Sequence, residues 1–96
     1  MINHGVVFTL KSDSVLSLEA FLTETLKLKK IDGLMDFQIV RETSPKNKFE
    51  FGLFMKFKNP KTYQYYNNHP DHVSFVQNIW IPNVEDFMEI DYEKIL

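Results

Sequence analysis

The segment Tyr66-Asn67-Asn68-His69-Pro70-Asp71-His72-Val73 holds two of the chain's three histidines and a tyrosine. Imidazole and phenol are proton-transfer groups. A neutral imidazole accepts a proton near pH 7, and a phenol donates one to a developing enolate or alkoxide. Pro70 opens a helix, so His72 falls in its first turn, where the positive end of the helix dipole disfavours an imidazolium. Tyr66 lies before the break at His69-Pro70. A chain that folds back there brings Tyr66 and His72 toward one another. Two simpler readings compete. His72 caps the helix or bonds a backbone group, and Tyr66 packs its ring while its hydroxyl meets water. The third histidine, His4, sits among Ile2, Val6 and Phe8 on an apolar strand face. A buried imidazole needs a hydrogen-bond partner, and Tyr66 or His72 would be that partner. Tyr63 lies one turn before Tyr66 on the same helical face, whereas Tyr65 points elsewhere. His69, Asp71 and His72 have the residue types of a metal site. Pro70 disturbs their geometry, however, and spacing fixes no third ligand. No metal and no cofactor is expected, and His69 is read as the end of a helix.

These groups must be placed by elements legible from periodicity. Residues from Ile2 to Lys11 alternate, with Ile2, His4, Val6, Phe8 and Leu10 on one parity, as in a half-buried strand. Ser12-Asp13-Ser14 supplies turn and capping oxygens, and from Val15 the period becomes helical, with Leu18, Phe21, Leu22, Thr25 and Leu26 on one stripe. Asp32-Gly33 ends that helix, with Gly33 suited to a left-handed cap. A second strand runs from Met35 to about Thr43. After the turn Ser44–Lys48 a third carries Phe49, Phe51, Leu53, Met55 and Phe57 on one parity. Asn59-Pro60 starts a second helix, which His69-Pro70 interrupts. A third follows from Pro70, with Val73, Val76, Ile79 and Trp80 inward, until Pro82 stops it. Val84 to Tyr92 reads as the last strand. The order strand, helix, strand, strand, helix, strand is the ferredoxin-like α+β pattern, a four-stranded antiparallel sheet with helices on one face. The uncovered face would carry Val7, Val40, Phe54 and Phe87. An apolar face without cover predicts a homodimer formed sheet to sheet.

Composition narrows the function classes. The 96 residues carry 11 Lys and Arg against 13 Asp and Glu, with 44% hydrophobic and 15% aromatic residues. That fits a single domain over 1–96 and excludes a disordered chain. The net charge of −2 argues against binding duplex nucleic acid. The clusters Lys27, Lys29, Lys30 and Lys46, Lys48, Lys56, Lys58, Lys61 read as solvated surface. No cysteine is present for disulfide or thiolate chemistry. No apolar run reaches the ~18 residues of a membrane span, and Met1-Ile2-Asn3-His4 lacks a leader's basic start, so a cytoplasmic location is expected. Phosphate loops, nucleophile elbows and paired carboxylates are absent.

Four segments taken together, Ile2-Asn3-His4-Gly5-Val6-Val7-Phe8, Phe57-Lys58-Asn59, Tyr66 to Val73 and Asp91-Tyr92, resemble the stress-responsive α/β-barrel (Dabb) domain family. The likeness covers nearly the whole chain, and His-Pro-x-His-Val with Tyr three residues before its first His is its most specific part. The resemblance implies a ferredoxin-like dimer whose two sheets form an α/β barrel. Most members of the family have no assigned reaction. Some plant members resemble chaperone-like stress proteins. Others are polyketide cyclases that close an aromatic ring by an intramolecular aldol reaction without metal or cofactor. In the cyclase-type members the Tyr and the second His of the motif are the acid/base pair, which implies Tyr66 and His72 here. The first-strand His lines the cavity, which implies His4. Three functions follow as expectations. The first is binding of a small apolar ligand between helices and sheet, beside His4, Tyr63, Phe51, Met55 and Trp80. The second is a cofactor-independent cyclase or lyase using Tyr66 and His72. The third is a structural stress or assembly protein. Whether the chain is an enzyme stays open.

Overall fold

The computed structural model describes residues 1–96. Strand β1 spans Ile2–Leu10, helix α1 Leu18–Leu26, β2 Met35–Arg41, β3 Phe51–Phe57, α2 Pro60–Asn68, α3 Pro70–Phe75 and β4 Val84–Tyr92. A 3₁₀ turn, Lys27–Lys30, prolongs α1, and α3 runs through a π turn at Val76–Trp80 into a last helical turn, Ile81–Asn83. The strands pair antiparallel in the order β2-β3-β1-β4. This is the expected ferredoxin-like fold, with the helices on one face. No helix is long and apolar enough to cross a membrane.

Period-two alternation decides what each face of the sheet presents. His4, Val6 and Phe8 of β1 pair with Met55, Leu53 and Phe51 of β3, and this parity faces the helices. Phe8, Phe57, Leu53 and Met55 pack there with Phe21, Leu28, Ile31, Tyr66 and Phe75 to form the core. Helix α2 begins where Asn59-Pro60 predicts. The Asn59 Oδ1 accepts from the Thr62 N–H at 2.9 Å, and the Asn59 N–H donates to the Thr62 hydroxyl at 3.2 Å. Gly33 adopts φ +92°, the left-handed conformation expected of it.

Several boundaries differ from the expectation. Helix α1 starts at Leu18 and is capped by Ser17, whose Oγ accepts from the Ala20 N–H, so Val15 lies outside it and is 83% exposed. The cause is tertiary. Asn83 accepts the Lys11 N–H on its carbonyl and the Leu16 N–H on its side chain, holding the intervening segment out of helical geometry. The 3₁₀ turn then tightens the chain and brings Leu28 and Ile31 into the core, which a uniform 3.6-residue period does not anticipate. Strand β3 begins at Phe51 rather than Phe49, and β2 ends at Arg41 rather than near Thr43. Pro82 does not stop the third helix. It lies inside the last helical turn, Ile81–Asn83, which the π turn joins to α3, and the helix ends after Asn83. The π turn shifts the helical period, so Val76, Ile79 and Trp80 pack on the core while Val73 is 41% exposed rather than inward.

One misassignment concerns the sheet faces. Phe8 pairs with Phe87 and Val6 with Glu89, so Phe87 stands on the helix side. Val7 pairs with Met88 and Gly5 with Ile90. The uncovered face therefore carries Val7, Val40, Phe54, Met88 and Ile90, not Phe87.

Candidate functional site

A cavity of about 320 Å³ opens between the sheet and the second and third helices. Its polar end is formed by His4 from β1, Tyr66 and Asn67 from α2, His72 from α3 and Glu89 from β4. Its apolar walls include Leu53, Met55, Phe75, Trp80, Ile81 and Phe87. Volume and lining both match those of small-molecule sites, which are mostly apolar with a few convergent polar groups.

The break at His69-Pro70 does the local positioning. His69 caps α3 by accepting the Asp71 N–H on its Nδ1 at 3.1 Å. The turn folds α3 back, and the rings of Tyr66 and His72 lie 4.4 Å apart, centroid to centroid. They touch without hydrogen bonding to one another. His72 Nδ1 lies 3.1 Å from the Asn67 carbonyl. A carbonyl only accepts, so Nδ1 carries the proton and Nε2 is the basic nitrogen. Burial lowers the His72 pKa below the ordinary 6.5, with the carbonyl contact opposing it and His4 adding to it. His72 is therefore neutral at pH 7. Tyr66 is only 2% exposed. Burial, and secondarily Glu89, raise its pKa, so it stays a proton donor.

His4 has other partners than the two anticipated. Its Nδ1 donates to Asp91 Oδ1 at 2.5 Å. Tyr63 donates its hydroxyl proton to Asp91 Oδ2 at 2.8 Å, and its oxygen lies 2.9 Å from His4 Nδ1. Both carboxylate oxygens are thus engaged, and the His4 proton is held on Nδ1. Desolvation first and Asp91 second push the Tyr63 pKa up. Tyr63 braces His4 from behind and does not line the cavity. It also stacks on Phe57, centroids 4.8 Å apart. Phe51 lies outside the cavity too, packing on Phe8 at 5.7 Å beneath the Arg41 guanidinium at 5.3 Å. Met55 and Trp80 do line it.

Asp91 and Glu89 were not singled out as site residues from the sequence, and neither was Asn67. The signal was present in part. Glu89 and Asp91 share the parity of Phe87, and the register of β4 against β1 puts all three beside Phe8, Val6 and His4. Ligand atoms of His4, Glu89 and Asp91 lie within 4.8 Å of one another.

The family model described as Stress responsive A/B Barrel Domain (Dabb) matches residues 2–94. No curated protein matches the chain. Among solved structures, a Dabb family protein with a ferredoxin-like fold from Mesorhizobium loti is 44% identical, with a TM-score of 0.90 over 98% of this chain and 96% of that one. A dimeric ferredoxin-like protein of unknown function from Thermobifida fusca is 18% identical, with a TM-score of 0.79 over 97% of this chain and 90% of its own. Hydroxynitrile lyase from Passiflora edulis is 16% identical, with a TM-score of 0.83 over 95% of this chain and 90% of the lyase. The last two likenesses are of fold.

Proposed function

The chain belongs to the stress-responsive A/B barrel (Dabb) domain family, and from that premise we propose that it binds a small, largely apolar ligand in the cavity between its helices and its sheet. The observation that carries this reading is the cavity itself, about 320 Å³ with apolar walls and a polar end converging on His4, Tyr66 and His72. The protein acts as a cytoplasmic homodimer of single-domain chains, joined through the uncovered sheet faces. Like that face, the dimeric ferredoxin-like protein from Thermobifida fusca supports this part of the proposal. A ligand that binds only the folded state stabilises it by ~2.7 kcal/mol at a hundred times its Kd. In a domain of this size that raises Tm by roughly 10 °C or more. A thermal-shift series with 4-phenylbutan-1-ol as the apolar probe tests this. A rise in Tm that a bulky Leu53→Trp substitution abolishes is expected. No rise at any concentration up to saturation would overturn the proposal.

A second reading is favoured by one specific arrangement, the contact of a protonated Tyr66 with a neutral His72 whose Nε2 is unprotonated. In this reading His72 Nε2 removes a proton from a carbon next to a carbonyl, and the Tyr66 hydroxyl donates to the developing enolate oxygen. Deuterium exchange from D₂O into 4-phenyl-2-butanone reads that step directly. Catalysed exchange is expected, with Tyr66→Phe and His72→Ala each slowing it ~100-fold. Exchange at the buffer rate in the wild type would remove the reading.

A further inference from the structure

Glu89 is the one carboxylate that lines the cavity. It occupies the β4 position opposite Val6, so the pleat turns its side chain to the helix side, next to His4. No cation neutralises it. The ion pairs of the chain join Lys27 to Glu24, Lys48 to Asp86 and Lys56 to Asp36, the imidazoles of His4 and His69 lie against Asp91 and Asp71, and no Lys or Arg lines the cavity. Three other polar lining groups have tasks of their own. His4 Nδ1 donates to Asp91, His72 Nδ1 donates to the Asn67 carbonyl, and Tyr66 offers a hydroxyl donor. The cavity lining thus includes an exposed carboxylate with no cation beside it, together with the rings of Tyr66, Phe75, Trp80 and Phe87.

Such a lining, open to solvent at Glu89, still discriminates by charge. An anionic head group meets Glu89 with no cation to offset it. A neutral one gains a hydrogen bond at most. A protonated amine gains a charge-assisted hydrogen bond to the carboxylate and the quadrupole of aromatic faces. A divalent metal fits less well. Of the three candidate ligand groups, His4 Nδ1 and both oxygens of Asp91 are already committed to each other and to Tyr63. A metal would keep only His4 Nε2 and Glu89 as ligands unless it broke the bonds of Asp91, whereas an ammonium needs only Glu89.

We infer that the cavity selects a ligand with a protonated amine at its polar end and an apolar body, and that Glu89 is the residue that sets this preference. The inference rests on the reading of the cavity as a ligand site. Titration calorimetry of the full chain at pH 7 with 4-phenylbutylamine, 4-phenylbutan-1-ol and 4-phenylbutanoate tests it. The amine is expected to bind ~10-fold more tightly than the alcohol, and the carboxylate least well. Glu89→Gln is expected to bring the amine down to the level of the alcohol, and a far-UV circular dichroism spectrum and a cooperative melt like those of the wild type show that the variant is folded. If the alcohol binds and the amine binds no better, or if the amine preference survives in Glu89→Gln, the role of Glu89 is overturned while the cavity remains a ligand site. If the wild type binds none of the three, the ligand-site reading fails and this inference fails with it.

Discussion

At the scale of single residues, the site is two braced histidines. Tyr63 and Asp91 hold His4 by its Nδ1, and the Asn67 carbonyl holds His72 by its own. Each ring therefore presents its other nitrogen, and the tautomer is set from behind. Tyr63→Phe keeps the stack on Phe57 but removes a hydrogen bond to a partly exposed carboxylate, so urea unfolding is expected to show a loss of about 1 kcal/mol. No loss would mean that water replaces the phenol fully. His72 carries a pH dependence whose sign follows from its lowered pKa. The unfolded chain takes up this proton near pH 6.5, whereas the folded protein resists it until lower pH. Between those limits the unfolded state binds more protons, so stability falls as pH drops below about 6.5 and the fall ends below the folded pKa. His4, His69 and Glu89 are the titratable neighbours that modulate it. Urea unfolding at pH 7.5 and 5.0 is expected to show a smaller loss in His72→Gln than in the wild type. Equal losses would assign the pH dependence to other groups.

At the scale of elements, one polar side chain ties two segments together. Asn83 is buried at 1% exposure, where it donates to the Ile79 carbonyl at 2.8 Å and accepts from the Leu16 N–H at 3.0 Å. It closes the third helix and fixes the chain before α1 at once. Asn83→Ala leaves both backbone groups without their partner and is expected to cost about 2–3 kcal/mol in denaturant unfolding. A cost below 1 kcal/mol would show that the Lys11–Leu16 segment is held by other contacts. Nothing in the sequence marks Asn83 for this task, because its partners lie 67 and 4 residues away and only one of them is local. Strand and helix identities, by contrast, were legible. Alternation through β1 and β3, the Asn59-Pro60 start and the His69-Pro70 break all occur where the residues indicate. The π turn was not legible, since a single turn of five residues is too short to establish a different period in the apolar spacing.

At the scale of the whole molecule, the helices cover one side of the sheet and leave Val7, Phe54, Met88 and Ile90 on the other. Two glycines flatten that face. A methyl group at Gly5 would lie 2.6 Å from the Phe54 ring and one at Gly52 would lie 2.8 Å from it, so the ring rests over both. A flat apolar face of this kind suits a sheet from a second copy. Ile90→Glu places a charge at 52% exposure in the monomer, where it costs little, and in the proposed interface, where it costs much. Light scattering at micromolar concentration is expected to give a dimer mass for the wild type and a monomer mass for Ile90→Glu. A wild-type monomer would sink the proposed interface, and a variant dimer would move it elsewhere.

The sequence by itself determined the order of the elements, the ferredoxin-like class and the likeness to the Dabb family, because period, capping residues and prolines act within a few residues of one another. It also singled out Tyr66 and His72, since a proline break between two near neighbours already limits where their rings can go. Only the tertiary structure decided which side of β4 faces the helices. Periodicity supplies two faces and does not label them. That label comes from pairing with β1, which sets His4 against Asp91 across 87 residues of chain. Phe87, Glu89 and Asp91 joined the cavity side through that register, and with them came the brace on His4 and the negative charge of the site.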